Sequence, residues 1–254
     1  MTTIQNHLVS IVTPAYNSAR FIQATIDSVL AQTYTNWELI VVDDCSNDNT
    51  SDLVSSIARR DDRIRLIRLE HNQGPAVARN TALKYATGRY IAFLDSDDLW
   101  LPNKLELQLS FMNQKGIAFS FTLYRRMSED GGKWGKLINL PEVLDYAGLL
   151  KNTGIAGCLT AIIDRKTTGN FEMEIGYAED HLLWIQLLKR GFKAYGLQED
   201  LARYRVVNNS RSRNKFKAPF RIWDIYYKKE KLRFHKALWY FCCYAWNAYL
   251  KNKQ

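Results

Sequence analysis

Short apolar runs alternate with amphipathic segments from residue 8 to residue 94, and that alternation leaves few architectures open. Leu8 to Thr13, Glu38 to Val42, Ile64 to Leu69 and Tyr90 to Leu94 read as strands. The second is nearly continuous in apolar residues, as in a parallel sheet covered on both faces. Helices fall between them. Arg20 to Gln32 places Ile22, Ile26, Val29 and Leu30 on one face, Asn49 to Arg60 follows the cap-rich Ser46-Asn47-Asp48, and Pro75 to Ala86 closes at Gly88. Such repeats predict right-handed crossovers on a mostly parallel central sheet flanked by helices, an α/β fold. Ligands of these sheets sit outside the carboxyl ends of the strands. Pro14-Ala15-Tyr16-Asn17, Asp43-Asp44 and Asp95-Ser96-Asp97-Asp98 all fall at such ends.

The last of these clusters carries the strongest chemical signal. In an extended segment Asp95 and Asp97 project to the same side. Two carboxylates at one spot repel, and a cation or hydrogen bonds must offset the repulsion. A hard divalent ion that also bridges a diphosphate suits oxygen ligands of this kind. A helix cap ahead of Leu101-Pro102 would account for one aspartate, hardly for three. Tyr16 offers either a ring on which a base stacks or a cover for the sheet edge. Asp44 offers either an acceptor for the imide N–H of a uracil or, with Asp43, a cap for the next helix. The glycine fingerprints of dinucleotide-binding folds and phosphate-loop NTPases are missing after the first strand.

The remainder of the chain is less regular. Pro102 to Lys115 reads as a helix with Leu105, Leu109 and Met112 inward, and Ile117 to Tyr124 as a strand. Ser128 to Lys136 reads as a polar, glycine-rich mobile loop. Pro141 to Lys151 reads as a short helix, Leu159 to Ile163 as a strand, Glu179 to Arg190 as a helix and Ala202 to Val207 as a last strand.

A chain of 254 residues with 46% hydrophobic side chains builds one large or two small domains and is not disordered. No run of about 18 uncharged apolar residues predicts a membrane-spanning helix. Met1 to His7 lacks the layout of a secretion signal. Cys45, Cys158, Cys242 and Cys243 show neither disulfide nor metal spacing, which points to a reducing cytosol and no zinc site.

The net charge of +9 is concentrated at the C-terminus. Residues 211–254 hold twelve Lys/Arg against two Asp/Glu, while the preceding 210 residues hold 23 against 24. Pro219 suits a first helical turn. Phe220, Trp223 and Tyr227, then Phe234, Leu238, Cys242 and Trp246, keep helical spacing, with Lys228, Lys229, Lys231, Arg233 and Lys236 gathered among them. A basic aromatic helix of this kind suits an anionic membrane surface, where each basic residue contributes about 1 kcal/mol. Packing on the catalytic domain or a partner is the second reading and nucleic acid the third. The division expected is a catalytic domain over residues 1–210 and a membrane-associating tail over residues 211–254.

Four motifs together resemble family 2 glycosyltransferases. They are Val9-Ser10-Ile11-Val12-Thr13-Pro14-Ala15-Tyr16-Asn17, Val42-Asp43-Asp44-Cys45-Ser46, Asn72-Gln73-Gly74 with Ala78-Arg79-Asn80, and Leu94-Asp95-Ser96-Asp97-Asp98. The likeness covers roughly residues 8 to 205 in the family's order and spacing. It implies a GT-A (nucleotide-diphospho-sugar transferase) fold, a nucleotide-sugar donor, a divalent metal, Mn2+ or Mg2+, and inversion at the anomeric carbon. By the same likeness Pro14, Tyr16 and Asp44 match donor-base positions, with Asn17, Arg79 and Ser96 beside the donor. Asp95 matches the residue that approaches the ribose or metal, and Asp97 the metal ligand on the diphosphate. Asp98 extends the motif toward the acceptor, as in bacterial polysaccharide transferases. Asp180 matches the usual base and Glu179 its neighbour, each also able to cap the helix. Trp184 resembles the acceptor-side aromatic and would equally serve as core. Many relatives carry a metal-reaching histidine after the last strand, whereas Tyr204 to Ser212 has none. There Arg211, Arg213 and Lys215 offer phosphate contacts instead.

The expected activity is therefore an inverting transfer of a hexose from a UDP-sugar to a polyprenyl-diphosphate-linked sugar. The polymers in view are O-antigen, capsule or similar polysaccharides. The enzyme is expected in the cytoplasm, peripheral on the inner face of the plasma membrane, with no nucleic-acid partner. A carboxylate-pair glycoside hydrolase would leave Tyr16 and Asp44 without a role. A lipid- or nucleic-acid-binding module would leave the acidic clusters without one.

Overall fold

A computed structural model describes residues 6–151, 155, 157–207 and 218–253. Its core is a ten-stranded mixed sheet. Strands β1 (Val9–Ala15), β2 (Trp37–Asp43), β3 (Ile64–Arg68) and β4 (Tyr90–Phe93) are mutually parallel in the order β3-β2-β1-β4. The path continues through β9 (Ile162–Asp164), β6 (Phe119–Met127), β10 (Ala194–Arg205) and β5 (Leu99–Trp100). β9 runs antiparallel to both β4 and β6, while β6 and β10 are parallel. β7 (Trp134–Ile138) and β8 (Val143–Leu144) pair antiparallel with β6 and β10. The predicted parallel half is thus present, and the second half adds antiparallel strands.

The helices follow from their apolar spacing. α1 (Ile22–Leu30) buries Ile22, Ile26 and Val29, α2 (Thr50–Ala58) buries Val54, and α3 (Pro75–Tyr85) begins on Pro75 after Gly74 at φ 90°. Leu30 is partly exposed, off the buried face of α1. α4 (Lys104–Lys115) turns Leu105, Leu109 and Met112 inward as expected. Gly88, ahead of β4, has no room for a side chain, because an added Cβ would lie 2.7 Å from Leu8 O. That close approach sets β4 beside β1 and directs its carboxyl end to the rim.

Several expected boundaries are corrected. The segment from Ser128 to Lys136 is a hairpin, with Ser128 N donating to Lys133 O at 2.9 Å, and leads into β7. Of Pro141 to Lys151 only α5 (Tyr146–Lys151) is helical, since Val143–Leu144 pairs with β10. Residues 157–160 form turns ahead of β9. β10 begins at Ala194, eight residues before the expected start. Its register shifts between Leu197 and Asp200 and again before Ala202, which explains the polar Gln198-Glu199-Asp200 inside a strand. α6 (Arg165–Thr168) is capped by Asp164, which accepts from Lys166 N, and α7 (Glu179–Lys189) has the extent expected.

The C-terminal segment packs on this framework. α8 (Ala218–Asp224), a π-helical turn (Ile225–Lys229) and α9 (Phe234–Lys253) follow one another. Ile225, Tyr226 and Ala237 are fully buried in the same core. Tyr226 Oη donates to Leu150 O, Asn247 Nδ2 to Lys151 O at 2.7 Å, and Lys189 pairs with Glu230 at 3.0 Å. Among the described residues no helix is long and apolar enough to cross a membrane.

Lys104 is a costly group in the core. It is fully buried, donating to Gln108 Oε1 at 2.8 Å and lying 4.2 Å from the Trp100 ring. Burial pushes its pKa down to about 7. Between about pH 7 and the ordinary lysine value the unfolded chain holds a proton that the fold has released, so stability rises with pH there and is lowest below about 7. Lys104→Met should therefore raise stability near pH 7 by about 1–2 kcal/mol, the gain from removing a buried charge less the donor lost to Gln108. The gain should shrink toward pH 10 in thermal denaturation.

Candidate active site

The carboxyl ends of β1, β2 and β4 meet on one rim because these strands are parallel and in register, with Val12 opposite Phe93 and Ala15 opposite Asp43. Pro14 is buried inside β1. Tyr16, two residues on, is 47% exposed and presents its ring to solvent. Asn17 takes a left-handed conformation, φ 48°. Its N–H donates to Ser46 Oγ and its Oδ1 accepts from Asn47 N, both at 2.9 Å, so the loop after β1 is stitched to the loop after β2.

The two adjacent aspartates divide their work. Asp43 accepts from Ser51 Oγ at 2.6 Å and from Ser46, closing the turn into α2. Asp44 is buried, and its two oxygens accept from Gln73 N and Gly74 N at 2.7 Å each. It fastens the loop ahead of α3. Each oxygen keeps a second lone pair, so acceptor capacity remains.

Asp95 to Asp98 is a turn, closed by Asp98 N donating to Asp95 O at 3.1 Å, and not the extended segment expected. Within the turn the carboxylates stay near enough to raise one another's pKa. Ser96 points into the protein, with its Oγ 2.7 Å from Ser18 Oγ and its carbonyl accepting from Thr25 Oγ1 at 3.0 Å. Asp98 is 1% exposed, and its Oδ1 accepts from Arg205 N at 2.7 Å. Burial and the neighbouring Asp97 and Asp95 raise its carboxyl well above the ordinary range. A group so enclosed anchors the turn to β10. Burial, then Asp95, pushes Asp97 up to about 6, and among the described residues no ion pair neutralises it.

Arg79 joins the two halves of the site. Its side chain is 7% exposed, and it donates to Asp95 Oδ1 at 2.5 Å and to Glu179 Oε1 at 3.1 Å. Burial works against its charge, but Asp95, Cys158 and Glu179 outweigh burial and raise its pKa. Asn80, beside it, holds both the N–H and the carbonyl of Met173 at 2.8 Å and fixes the chain that leads to α7.

Glu179 and Asp180 open α7 after Ala178, which has φ 53°. Asp180 Oδ1 accepts from His181 N at 2.7 Å. Its Oδ2 lies beside Gly157, where an added Cβ would come within 3.3 Å. A helix N-terminus favours an ionised acid, yet burial dominates here and raises the Asp180 pKa. Burial likewise raises the thiol of Cys158, enclosed among the same groups.

Trp184 is buried on α7. It is 1% exposed, with its ring 4.9 Å from that of Phe119 and 6.1 Å from that of Phe93. Its position one turn along α7 faces the sheet, so it is core. Arg211, Arg213 and Lys215 lie outside the described residues. Two residues went unnoticed in the sequence. Arg205 donates from Nε to Asp97 O at 2.6 Å and from Nη1 to Glu129 O at 2.8 Å, clamping the acidic turn. Cys158 is buried near enough to Arg79 and Asp180 for both to act on its thiol. An arginine ending an apolar strand was the only signal for the first, and nothing local marks the second.

The donor set fits a hard divalent cation. Asp95 and Asp97 offer oxygens at one rim, and burial followed by the charge of Asp95 raises the Asp97 carboxyl despite Arg205 and Arg79 nearby. Among the described residues no group of three His, Cys, Asp or Glu side chains is arranged to hold a metal, so other ligands would have to come from substrate or water.

The Glycosyl transferase family 2 model matches residues 10–171. The chain is 51% identical over 96% of its length, and 97% of the relative's, to TuaG of Bacillus subtilis, a glycosyltransferase named for teichuronic acid biosynthesis. It is 45% identical, over 87% of its length and 86% of the relative's, to WfgD of Escherichia coli, a UDP-Glc:alpha-D-GlcNAc-diphosphoundecaprenol beta-1,3-glucosyltransferase. Among solved structures it resembles S. aureus TarS in complex with UDP-GlcNAc, with a TM-score of 0.70 at 21% identity. That likeness covers 85% of this chain and 64% of the TarS chain. It shows a shared GT-A fold.

Proposed function

The chain belongs to glycosyl transferase family 2, and on that premise we propose that it is an inverting, metal-dependent hexosyltransferase. The donor is a UDP-hexose, and the acceptor a sugar linked through diphosphate to a polyprenyl lipid. The reaction serves bacterial surface polysaccharide assembly, at the cytoplasmic face of the plasma membrane. Relatives named for a UDP-glucose donor, a diphosphoundecaprenol acceptor and teichuronic acid support this reading. One observation carries it: Arg79 ties Asp95, at the sheet rim, to Glu179, next to Asp180. The carboxylates suited to the leaving diphosphate and those suited to the acceptor therefore belong to one site.

The residues divide the chemistry as follows. Tyr16 stacks on the uracil, and Asp44 uses its remaining acceptor capacity on the imide N–H. Asp97 with Asp95 would hold Mn2+ or Mg2+, whose charge neutralises the departing diphosphate. Glu179 is engaged by Arg79, which leaves Asp180 as the base. Its raised pKa makes it the better proton acceptor. The acceptor oxygen bonds to C1 as the C1–phosphate bond breaks, the hydroxyl proton passes to Asp180, and UDP leaves from the opposite face of the sugar. Arg79 holds Asp95 and Glu179 in place and limits their repulsion. Residues 1–210 carry the catalytic groups in this reading, and residues 211–254 are a C-terminal segment whose helices pack on them.

The test is a donor screen with and without Mn2+ on a synthetic lipid-diphosphate GlcNAc or GalNAc acceptor. Sugar release without nucleotide, or equal transfer in chelator, would overturn the reading. Asp180→Asn should keep donor affinity within about threefold while turnover drops about 100-fold or more, since the amide cannot take the proton. Isothermal titration with UDP-sugar and initial rates separate these two effects.

A further inference from the structure

Helix α9 is apolar on two sides, and the domain covers one of them. Ala237 is fully buried, with Tyr240, Phe241 and Tyr244 packed partly against the core. On the other side Leu238, Trp239 and Trp246 are 44%, 63% and 64% exposed. Positions 235, 239, 242 and 246 follow the spacing of a single helix face. The water-facing side of a helix ordinarily carries charged and polar residues. Exposed aromatics extend the patch beyond α9. Phe234 and Tyr227 both lie against Trp223, with ring centroids 5.9 and 5.8 Å from it, and Phe220 on α8 is 78% exposed. Scattered apolar residues on a surface need no explanation, but this many large exposed ones on one helical segment do.

The charge around the patch selects its partner. Residues 218–253 hold eight Lys/Arg against Asp224 and Glu230. Both acids are already paired, Asp224 with Lys228 at 2.5 Å and Glu230 with Lys189 at 3.0 Å. Lys231, Arg233 and Lys236 are exposed at the start of α9. A second copy of the chain would bring the same positive charge to the contact, and like charges across an interface are penalised. An anionic lipid surface satisfies both features, since tryptophan settles at the headgroup level and lysine and arginine are drawn to acidic lipid.

We propose that the outward face of α9, continued by Phe234, Tyr227 and Phe220, docks on an anionic lipid bilayer. The same segment is joined to the loop that delivers Glu179 and Asp180. Lys229 pairs with Glu174, Tyr177 Oη donates to the Asp224 carboxylate, and Lys229 lies 5.3 Å from the Tyr177 ring. Ile175, between those two loop residues, is 68% exposed. Docking thus places the base loop next to lipid, which suits an acceptor anchored there. That last link rests on the acceptor assigned under the proposed function.

The test is co-sedimentation of the full chain with phosphatidylcholine vesicles, with and without phosphatidylglycerol, at low and high salt. The full chain should bind only the anionic vesicles, less as salt rises, and Trp239→Gln/Trp246→Gln should weaken binding about tenfold or more. Both tryptophans are exposed, so the variant should keep the wild-type melting temperature and its transfer rate to a short, water-soluble acceptor. Absence of binding to anionic vesicles at low salt, or unchanged binding by the variant, would overturn the proposal. So would a dimer that the variant converts to monomer in light scattering, which would make the patch a contact between copies. Vesicle binding without transfer to any lipid-diphosphate sugar would uphold the surface and sink the acceptor reading.

Discussion

Asp97→Asn should lower the transfer rate by about 100- to 1000-fold, equivalent to about 3–4 kcal/mol of lost transition-state stabilisation, while the protein stays folded. The second half of that expectation follows from the site itself. Burial and Asp95 push the Asp97 carboxyl up to about 6, so ionising it without a cation alongside costs stability. Between the ordinary aspartate value and about 6 the fold holds a proton that the unfolded chain has released, and stability falls as pH rises through that window. Asparagine removes the charge, so the variant should melt no lower than wild type at pH 7.5. A bound cation stands in for the missing counter-charge. Mn2+ should accordingly raise the wild-type melting temperature more at pH 7.5 than at pH 5, and barely move the variant at either. A wild-type shift independent of pH would mean that the cation is not held by this carboxylate.

Arg79→Met should destabilise the protein by about 3–5 kcal/mol, since a buried pair loses its cation and leaves carboxylates uncompensated. For a chain of this size that lowers the melting temperature by roughly 10 °C. Asp95 and Glu179 contact the guanidinium directly, and Asp180 lies near enough for it to lower that acid's pKa. The charge origin is testable in the same series. Arg79→Met/Glu179→Gln should recover part of the lost stability, because one of the stranded charges is gone. If the double variant melts lower still, the loss comes from packing around the arginine and not from its charge. Transfer should be impaired in both, with the steady-state split falling on turnover, because the arginine orders the base side of the site.

How much of this was readable in advance depended on range. The rim clusters were legible because parallel strands send their carboxyl ends to one edge, and local patterning suffices to identify such strands. The hairpin from Ser128 resembles a loop in the sequence because β7 pairs with β6 alone among the described strands and leaves Trp134 59% exposed, so it lacks the alternation that marks a half-buried strand. The sequence makes β10 look shorter than it is because its register shifts place Gln198 and Glu199 where a regular strand would be apolar. Asp98 and Trp184 stood at positions typical of a site, yet each faces inward. Side-chain direction at a turn, or on one side of α7, is set by what packs there.

The amino-acid order alone dictated the alternation of strands and helices, the polar clusters at three strand ends, and the basic aromatic character of the tail. Those are consequences of spacing over a few residues. Folding in three dimensions assigned the partners. Arg79 reaches an acid sixteen positions along the chain and another a hundred positions along. Arg205 closes on a turn more than a hundred residues before it. Charges that share a buried site interact through the space between them, and chain separation carries no information about that distance.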